Sequence, residues 1–512
     1  MAVLADSKNN APPMYAIPII LGVLYLLHKH ITTYLHRRRI SRENGCLPIP
    51  RWPAWDPILG IDVLQGLLKD AKAQKALEGF EGKFKTMGTN TFAIGVSGKT
   101  DICTIEPENL KTIQSLRFKD YSLGHGREAH FIPCLGRGVF TNNGTEWQHS
   151  REMLRPNFAR DRVRDLDTFE VHIRHLLDAI PTDGSVVDLS DLFFRLTMDS
   201  STEFLFGEST GTLTPGLEKA SGSQFALAFN RAQEFMSWLV RYGNFAWMVP
   251  RRQFKQDIKV IQDFVDTYVE KGLARRSQVL AEKSDHYLFL DELVRQTTDR
   301  YRIRSELLNI LLAGRDTTAS LLTNVWWIMS KHQNIWNKLK AEVELLGGRH
   351  PTFEEMREMK YLQAILKESL RLHPQVAFNF REAVVDTVLP LGGGPDGKSP
   401  CLVRKGQNVS WSNYAMHRRT DFFGEDAAEF RPERWIDEGL RPGWEYLPFN
   451  GGPRICLGQQ FALNEASYTT VRLVQEFSGM ISRDPEPWRE SLTLTCVGLG
   501  GCKISMIPTS KA

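Results

Sequence analysis

The chain reads as a mainly α protein with small β-sheets (α+β), one body preceded by a single N-terminal transmembrane helix, and three observations lead there. Apolar residues recur at helical spacing through Asp165 to Ile180, Phe225 to Phe245, Asp257 to Arg276 and Ser305 to Lys331, while strand-like runs are short and few. From Ala11 to Leu27 the sequence is almost wholly apolar, and Lys29 and Arg37-Arg38-Arg39 close that run. Beyond it no Gly/Ser-rich or charged linker and no internal repeat divides the 512 residues. Residues 1–45 therefore read as anchor and basic flank, and residues 46–512 as one domain.

The anchor is short for a membrane span, and Ile31, Tyr34 and Leu35 extend its apolar face if the helix tilts. A secretory signal places its basic residues first; here they follow the apolar run, and no small-residue cleavage site succeeds Leu27. The basic flank predicts a cytosolic body with the short N-terminus across the bilayer. Next come Leu47-Pro48-Ile49-Pro50 and Trp52-Pro53, which cannot continue a helix and make a stiff neck. Strands are expected at Thr91 to Val96, Ile102 to Ile105 and around Asn408 to Trp411, and Leu492 to Val497 reads as one arm of a hairpin.

A net charge of +4 is too weak to argue for nucleic acid. The seven cysteines, at 46, 103, 134, 401, 456, 496 and 502, form no Cys-x-x-Cys pair, which speaks against a zinc site or a disulfide framework and for a reducing compartment. Gly392 to Ser399 spells a phosphate-loop string, but Pro400 and the loop-like Cys401 to Gly406 leave no helix to hold a phosphate. A Gly-rich surface connection is the better reading.

One cysteine stands apart. Cys456 lies in Phe449-Asn450-Gly451-Gly452-Pro453-Arg454-Ile455-Cys456-Leu457-Gly458, with glycines where backbone can pass close to a flat cofactor. A helix-forming stretch from Gln459 follows, so the thiol precedes a helix N-terminus whose dipole favours thiolate. The run resembles the haem-binding loop of the cytochrome P-450 family, meeting every fixed position with Phe449, Gly452, Arg454, Cys456 and Gly458. The resemblance implies the family fold and haem b (iron protoporphyrin IX), with Cys456 as axial thiolate, Phe449 near the sulfur and Arg454 paired to a propionate.

Further along the same comparison, Ala313-Gly314-Arg315-Asp316-Thr317-Thr318 interrupts the broad apolar surface of Leu307 to Leu312. It resembles the family's central-helix motif, which implies that Asp316 and Thr317 face the haem, Thr317 as a hydrogen-bonding group where oxygen is activated and Asp316 as a proton relay. Glu368 and Arg371 share one helix face, and Arg434 in Pro432-Glu433-Arg434-Trp435 supplies a third member. Together they resemble the family's structural triad behind the cysteine loop. Trp147 and Arg151, four apart on a helix, and Arg381 resemble its propionate partners.

The implied chemistry is monooxygenation, with dioxygen and two electrons inserting one oxygen atom into substrate. The sequence shows no flavin or nicotinamide region after the haem loop, so electrons are expected from a separate partner; the resemblance implies NADPH-cytochrome P-450 reductase drawing on NADPH, cytochrome b5 as a further partner, and the endoplasmic reticulum as the membrane. Phe225, Phe229, Phe235, Trp238, Phe245 and Trp247 can line an apolar channel, although such aromatic spacing more often serves a helix core; the resemblance implies that Val376, Ala377, Phe378 and Leu494 to Leu499 face substrate. His149 to Pro156, the central motif and the Gly392 to Pro395 insert resemble fungal alkane and fatty-acid hydroxylases, implying a long alkyl substrate. The alternative is a fungal secondary-metabolite oxygenase acting on a terpenoid or polyketide.

Overall fold

The computed structural model describes residues 16–158, 166–214, 220–281 and 288–509. It is mainly helical with small sheets, and its central element is the helix Arg300–Lys331. Asp299 caps that helix by accepting from the amides of Tyr301 and Arg302. Most of its residues are buried, as an apolar surface on every side requires. Ile303, Leu307, Leu308 and Leu311 join one core cluster, whereas Ala319, Leu322, Val325 and Trp326 join another. The polar interruption Ala313 to Thr318 lies where the helix passes between the two.

The five-stranded sheet takes Thr91–Val96, Lys99–Thr104, Asn408–Ser412, Phe378–Ala383 and Tyr121–Ser122 in that spatial order, parallel only between the second and third. The strands expected at Thr91 and Asn408 are therefore present. The stretch Leu492 to Val497 is instead the end of one strand, a three-residue turn and the start of the next: Glu490–Leu492 pairs with Cys496–Gly498. Gly392 to Ser399 joins two antiparallel strands and is followed by strand, not helix. Asp165, the first residue of one expected helix, lies outside the described residues; the helix Leu166–Ala179 follows it.

The transmembrane helix is corrected. Among the described residues no helix is long and apolar enough to cross a membrane. The helix Ala16–Glu43 exists, but its apolar run ends at Leu27, before His28-Lys29-His30. From Ala16 that run is only about 18 Å long, against a hydrocarbon core of about 30 Å. Residues 11–15 of the expected span lie outside the described residues. The helix's C-terminal half instead reaches the body, where Arg37 Nε lies 3.1 Å from both Asp386 carboxylate oxygens. The expected single-pass placement in the endoplasmic reticulum membrane falls with the span. The proline neck is laced to the sheets: Leu47 donates to the Pro400 carbonyl, Ala93 to Pro50 and Gly394 to Pro48.

The helix Lys360–Leu372 brings Glu368 and Arg371 into the interior, where both are 0 % exposed. Glu368 accepts from Arg371 Nε and a terminal guanidinium nitrogen (2.9 and 2.8 Å) and from Arg434 Nε (2.9 Å). The Trp435 indole and the Arg431 amide donate to the same carboxylate at 2.9 Å. Burial pushes this carboxyl up, yet the hydrogen bonds and charges of its arginines outweigh it and hold the group below the usual range. Arg371 also donates to the carbonyls of His417, Ala427 and Glu429. The His417 ring then accepts from the Leu447 amide at 2.9 Å, two residues before Phe449.

Glu368→Ala leaves two arginines buried without their acid, so it should destabilise the protein by about 3–5 kcal/mol, read from denaturant unfolding. Burial lowers the His417 pKa from 6.5 to about 3. The stability this neutral imidazole contributes is full above its unfolded value and drains away as pH falls toward its folded value. His417→Gln should therefore flatten the pH dependence of unfolding below about 6.5, measured by chemical denaturation across pH.

Candidate functional site

The loop before the helix Gln459–Glu476 is fixed by its own backbone and one neighbour. The Cys456 amide donates to the Phe449 carbonyl at 3.0 Å, and Gly452-Pro453-Arg454 forms a single 3-10 turn between them. Gly452 sits at φ 62°, and a Cβ there would lie 1.8 Å from the Gln114 carbonyl oxygen. No side chain fits at that approach. The Gln114 side chain in turn accepts from the Gly451 amide at 2.9 Å.

The Cys456 thiol lies deep in the molecule but is open to an internal cavity, so it counts as exposed by area. Burial pushes its pKa up, and the Gly458 amide and Arg151 pull it back toward thiolate. The cavity, about 310 Å³, is lined by Cys456 and Phe449 from the loop, by Ala313, Gly314, Thr317 and Thr318 from the central helix, and by apolar groups including Phe131, Phe140, Phe204, Ile310, Val376 and Leu494. Thr317 donates its hydroxyl proton to the Ala313 carbonyl at 2.7 Å, leaving its oxygen lone pairs free. Beside Gly314, the buried Ser201 and Thr318 hydroxyls have no protein partner.

Asp316 does not line this cavity. It is buried and turned to its neighbour, accepting from Arg315 at 2.8 Å and from Gln233. Burial raises its pKa and Arg315 partly offsets that. The same Arg315 nitrogen donates to Asn230 at 2.6 Å.

Four arginines line the cavity, namely Arg127, Arg151, Arg381 and Arg454, and among the described residues no carboxylate does. Arg454 donates to the Asn142 carbonyl at 3.0 Å and lies 4.3 Å from the Trp147 ring centre. Burial, with Arg127 and Arg151 nearby, lowers its pKa to about 9. Arg381, on a strand face shared with Asn379, donates to that side chain and to the Phe380 carbonyl. Burial, with Arg127 and Arg454, pushes its pKa well down. Arg127 is half-buried with its Nε enclosed and unpartnered, donates to Asn379 at 3.3 Å, and desolvation takes its pKa to about 10. Arg151 donates to the Ile455 carbonyl at 3.0 Å.

Such a gathering of like charges calls for an anionic ligand. A dianionic flat cofactor with a thiolate-binding metal fits this donor set: one open thiol, four guanidiniums without acids, and the Trp147 indole between two of them. Haem satisfies each demand.

The structure thus gathers Trp147, Arg151, Thr317, Arg381, Phe449, Arg454 and Cys456 at one cavity, leaves Asp316 just outside it, and sets Glu368, Arg371 and Arg434 behind it. Of the expected channel residues Val376, Phe378 and Leu494 line the cavity, whereas Phe225 and Phe229 are core and Phe235 stacks on Phe254. Trp247 is exposed. Sequence reasoning missed Arg127, which stands in no motif, and Trp435, which stands inside one.

The sequence pattern of the family described as Cytochrome P-450 matches residues 65–497. A cytochrome P-450 monooxygenase of Aspergillus japonicus, himC, is 45% identical over 480 residues, 92% of this chain and 85% of that protein. Cytochrome P-450 52A12 of Debaryomyces hansenii is 41% identical over 507 residues, covering 95% and 97%. Cytochrome P-450 52-E3 of Starmerella bombicola is 45% identical over 474 residues, covering 90% and 91%.

Gly452→Ala must displace the Gln114 backbone and should abolish haem retention while Gly500→Ala, where nothing lies within 4 Å, should not. The check is the haem-to-protein absorbance ratio of the purified variants.

Proposed function

The chain belongs to the cytochrome P-450 family, and from that premise we propose that this haem-thiolate monooxygenase hydroxylates a long-chain fatty acid or alkane. The observation that carries the substrate reading is the cavity itself, where Cys456 and Thr317 share one lining with phenylalanines and aliphatic side chains and with no acid among the described residues. An alkyl chain gains from leaving water there, roughly 0.8 kcal/mol per methylene, and meets no carboxylate to desolvate.

In this reading Cys456 would hold the haem through its thiolate, and Trp147, Arg127, Arg151, Arg381 and Arg454 would pair with its carboxylates. Phe449 packs beside the sulfur. Bound haem supplies the activation of dioxygen, which no side chain of the protein can perform. The protein's own residues manage substrate and protons. Thr317, with its proton on the Ala313 carbonyl, offers an acceptor toward the cavity that can hold a proton donor in place. Ser201 and Thr318 extend that polar strip. Asp316, held by Arg315 and Gln233, delivers protons to it by releasing those partners. The apolar walls keep water from the rest of the cavity. Electrons come from NADPH through NADPH-cytochrome P-450 reductase, with cytochrome b5 as a second donor.

Reconstitution with that reductase, followed by mass spectrometry of products from fatty acids and alkanes, tests the reading. Oxidation of cyclic metabolites with no alkyl chain accepted would reject the substrate. A haem-loaded Cys456→Ser variant should lose the thiolate signature of the reduced carbon monoxide spectrum. Thr317→Ala should keep consuming NADPH while product per NADPH falls by about tenfold or more; unchanged coupling would remove Thr317 from the proton path.

A further inference from the structure

Beyond the cavity, the Arg241 guanidinium has no counter-ion among the described residues. Arg241 ends the helix Ala220–Tyr242, and among the described residues no carboxylate lies within ion-pair distance of it. Its terminal nitrogens donate to Ser237 Oγ at 2.8 Å and to the Leu492 carbonyl at 2.6 Å. Its guanidinium carbon lies 5.0 Å from the Trp238 ring centre. The nearest acid on the facing hairpin, Glu490, is engaged elsewhere, accepting from the backbone amides of Ala76 and Leu77. Burial lowers the Arg241 pKa, with Glu490 and Glu234 opposing from a distance. Two of its five N–H groups have partners, and its Nε, which has none, is not enclosed.

The place of this cation matters. Leu492, whose carbonyl it holds, pairs with Cys496 across the three-residue turn Thr493 to Thr495. Leu494 and Thr495 of that turn line the cavity. The guanidinium is therefore bonded to the hairpin whose turn walls the cavity, at a residue two positions along the chain from Leu494. Asn244, just beyond the helix, bonds the Ser97 carbonyl, Gly98 next to it donates to Leu59, and on these adjoining segments Trp247, Met248, Ile58 and Leu59 are exposed. An unpaired cation set in aromatic and aliphatic surface at the edge of an apolar cavity matches a ligand with one anionic end and a long apolar body.

We propose that Arg241 binds the carboxylate of a long-chain fatty acid, so that the chain runs past the Thr493 to Thr495 turn and presents its far end to the region of Thr317 and Cys456. This rests on the hydroxylase reading above and narrows it from alkane to acid. An anchored head fixes which carbons can reach the reacting end, so oxidation falls at or near the terminal methyl.

The test compares dodecanoate with methyl dodecanoate, equal in chain and differing in charge, by equilibrium dialysis against the full-length haem-loaded enzyme at pH 7.5. Arg241→Gln should weaken dodecanoate about tenfold, leave the ester within twofold, and spread hydroxylation away from the chain end; Arg241→Lys should recover most of the affinity. Equal losses for acid and ester would show that Arg241 only braces the hairpin, and no loss for the acid would show that the carboxylate lies elsewhere; either overturns the proposal alone. Should the wild-type enzyme bind neither ligand and oxidise no alkyl chain, the hydroxylase reading falls and this one with it.

Discussion

The structure hangs on one buried carboxylate. Glu368 accepts five hydrogen bonds from Arg371, Arg434, Trp435 and the Arg431 amide, in an interior where an ion without partners costs several kcal/mol. Because Arg371 also holds three backbone carbonyls, the acid fixes the course of the chain from His417 to Glu429. His417 carries that constraint onward, since a neutral ring that accepts from the Leu447 amide sets the approach to Phe449. The position of the Cys456 thiol is thus settled by a charge cluster that never touches it.

The cavity follows the opposite electrostatic rule. Behind it Glu368, Arg371 and Arg434 partner one another; inside it burial lowers the pKa of Arg127, Arg381 and Arg454, and neighbouring guanidiniums lower Arg381 and Arg454 further, with no acid among the described residues to relieve them. A protein that keeps such a cluster stores unfavourable energy that an anionic cofactor removes, so cofactor binding and folding stability are linked. Both halves of the site therefore obey one principle, with the counter-charge supplied by the chain in one case and by the ligand in the other.

What the sequence showed and hid has a physical pattern. Cys456, Gly452 and Arg454 are legible because their roles need fixed spacing within ten residues, and Glu368 with Arg371 because one helix turn sets their distance. Arg127 escaped because its neighbours in space, Asn379, Phe380 and Arg454, come from segments more than 250 residues away. Phe225 and Phe229 stayed open between core and channel wall, because helical spacing serves both; the tertiary fold decides for the core, stacking Phe225 on Phe229 and on Phe264 of the helix Arg252–Ala274. The apolar N-terminal run failed as a membrane span for a different reason: a run already short was extended through Ile31, Tyr34 and Leu35, across the break that His28-Lys29-His30 make.

The central helix explains why the reacting end and the substrate's path are not independent. It belongs to one core cluster before Ala313 and to another after Thr318, and the break between them is where its polar groups can face a cavity. At that break Arg315 bonds Asn230 and Asp316 bonds Gln233, both on the helix Ala220–Tyr242. The same helix ends at Arg241, bonded to the turn that walls the cavity. A shift of that helix along its axis changes all three contacts together, because each is a short polar bond to a rigid element. Occupation of the cavity can thus reach the acid that stands beside Thr317 through this helix, which touches both ends.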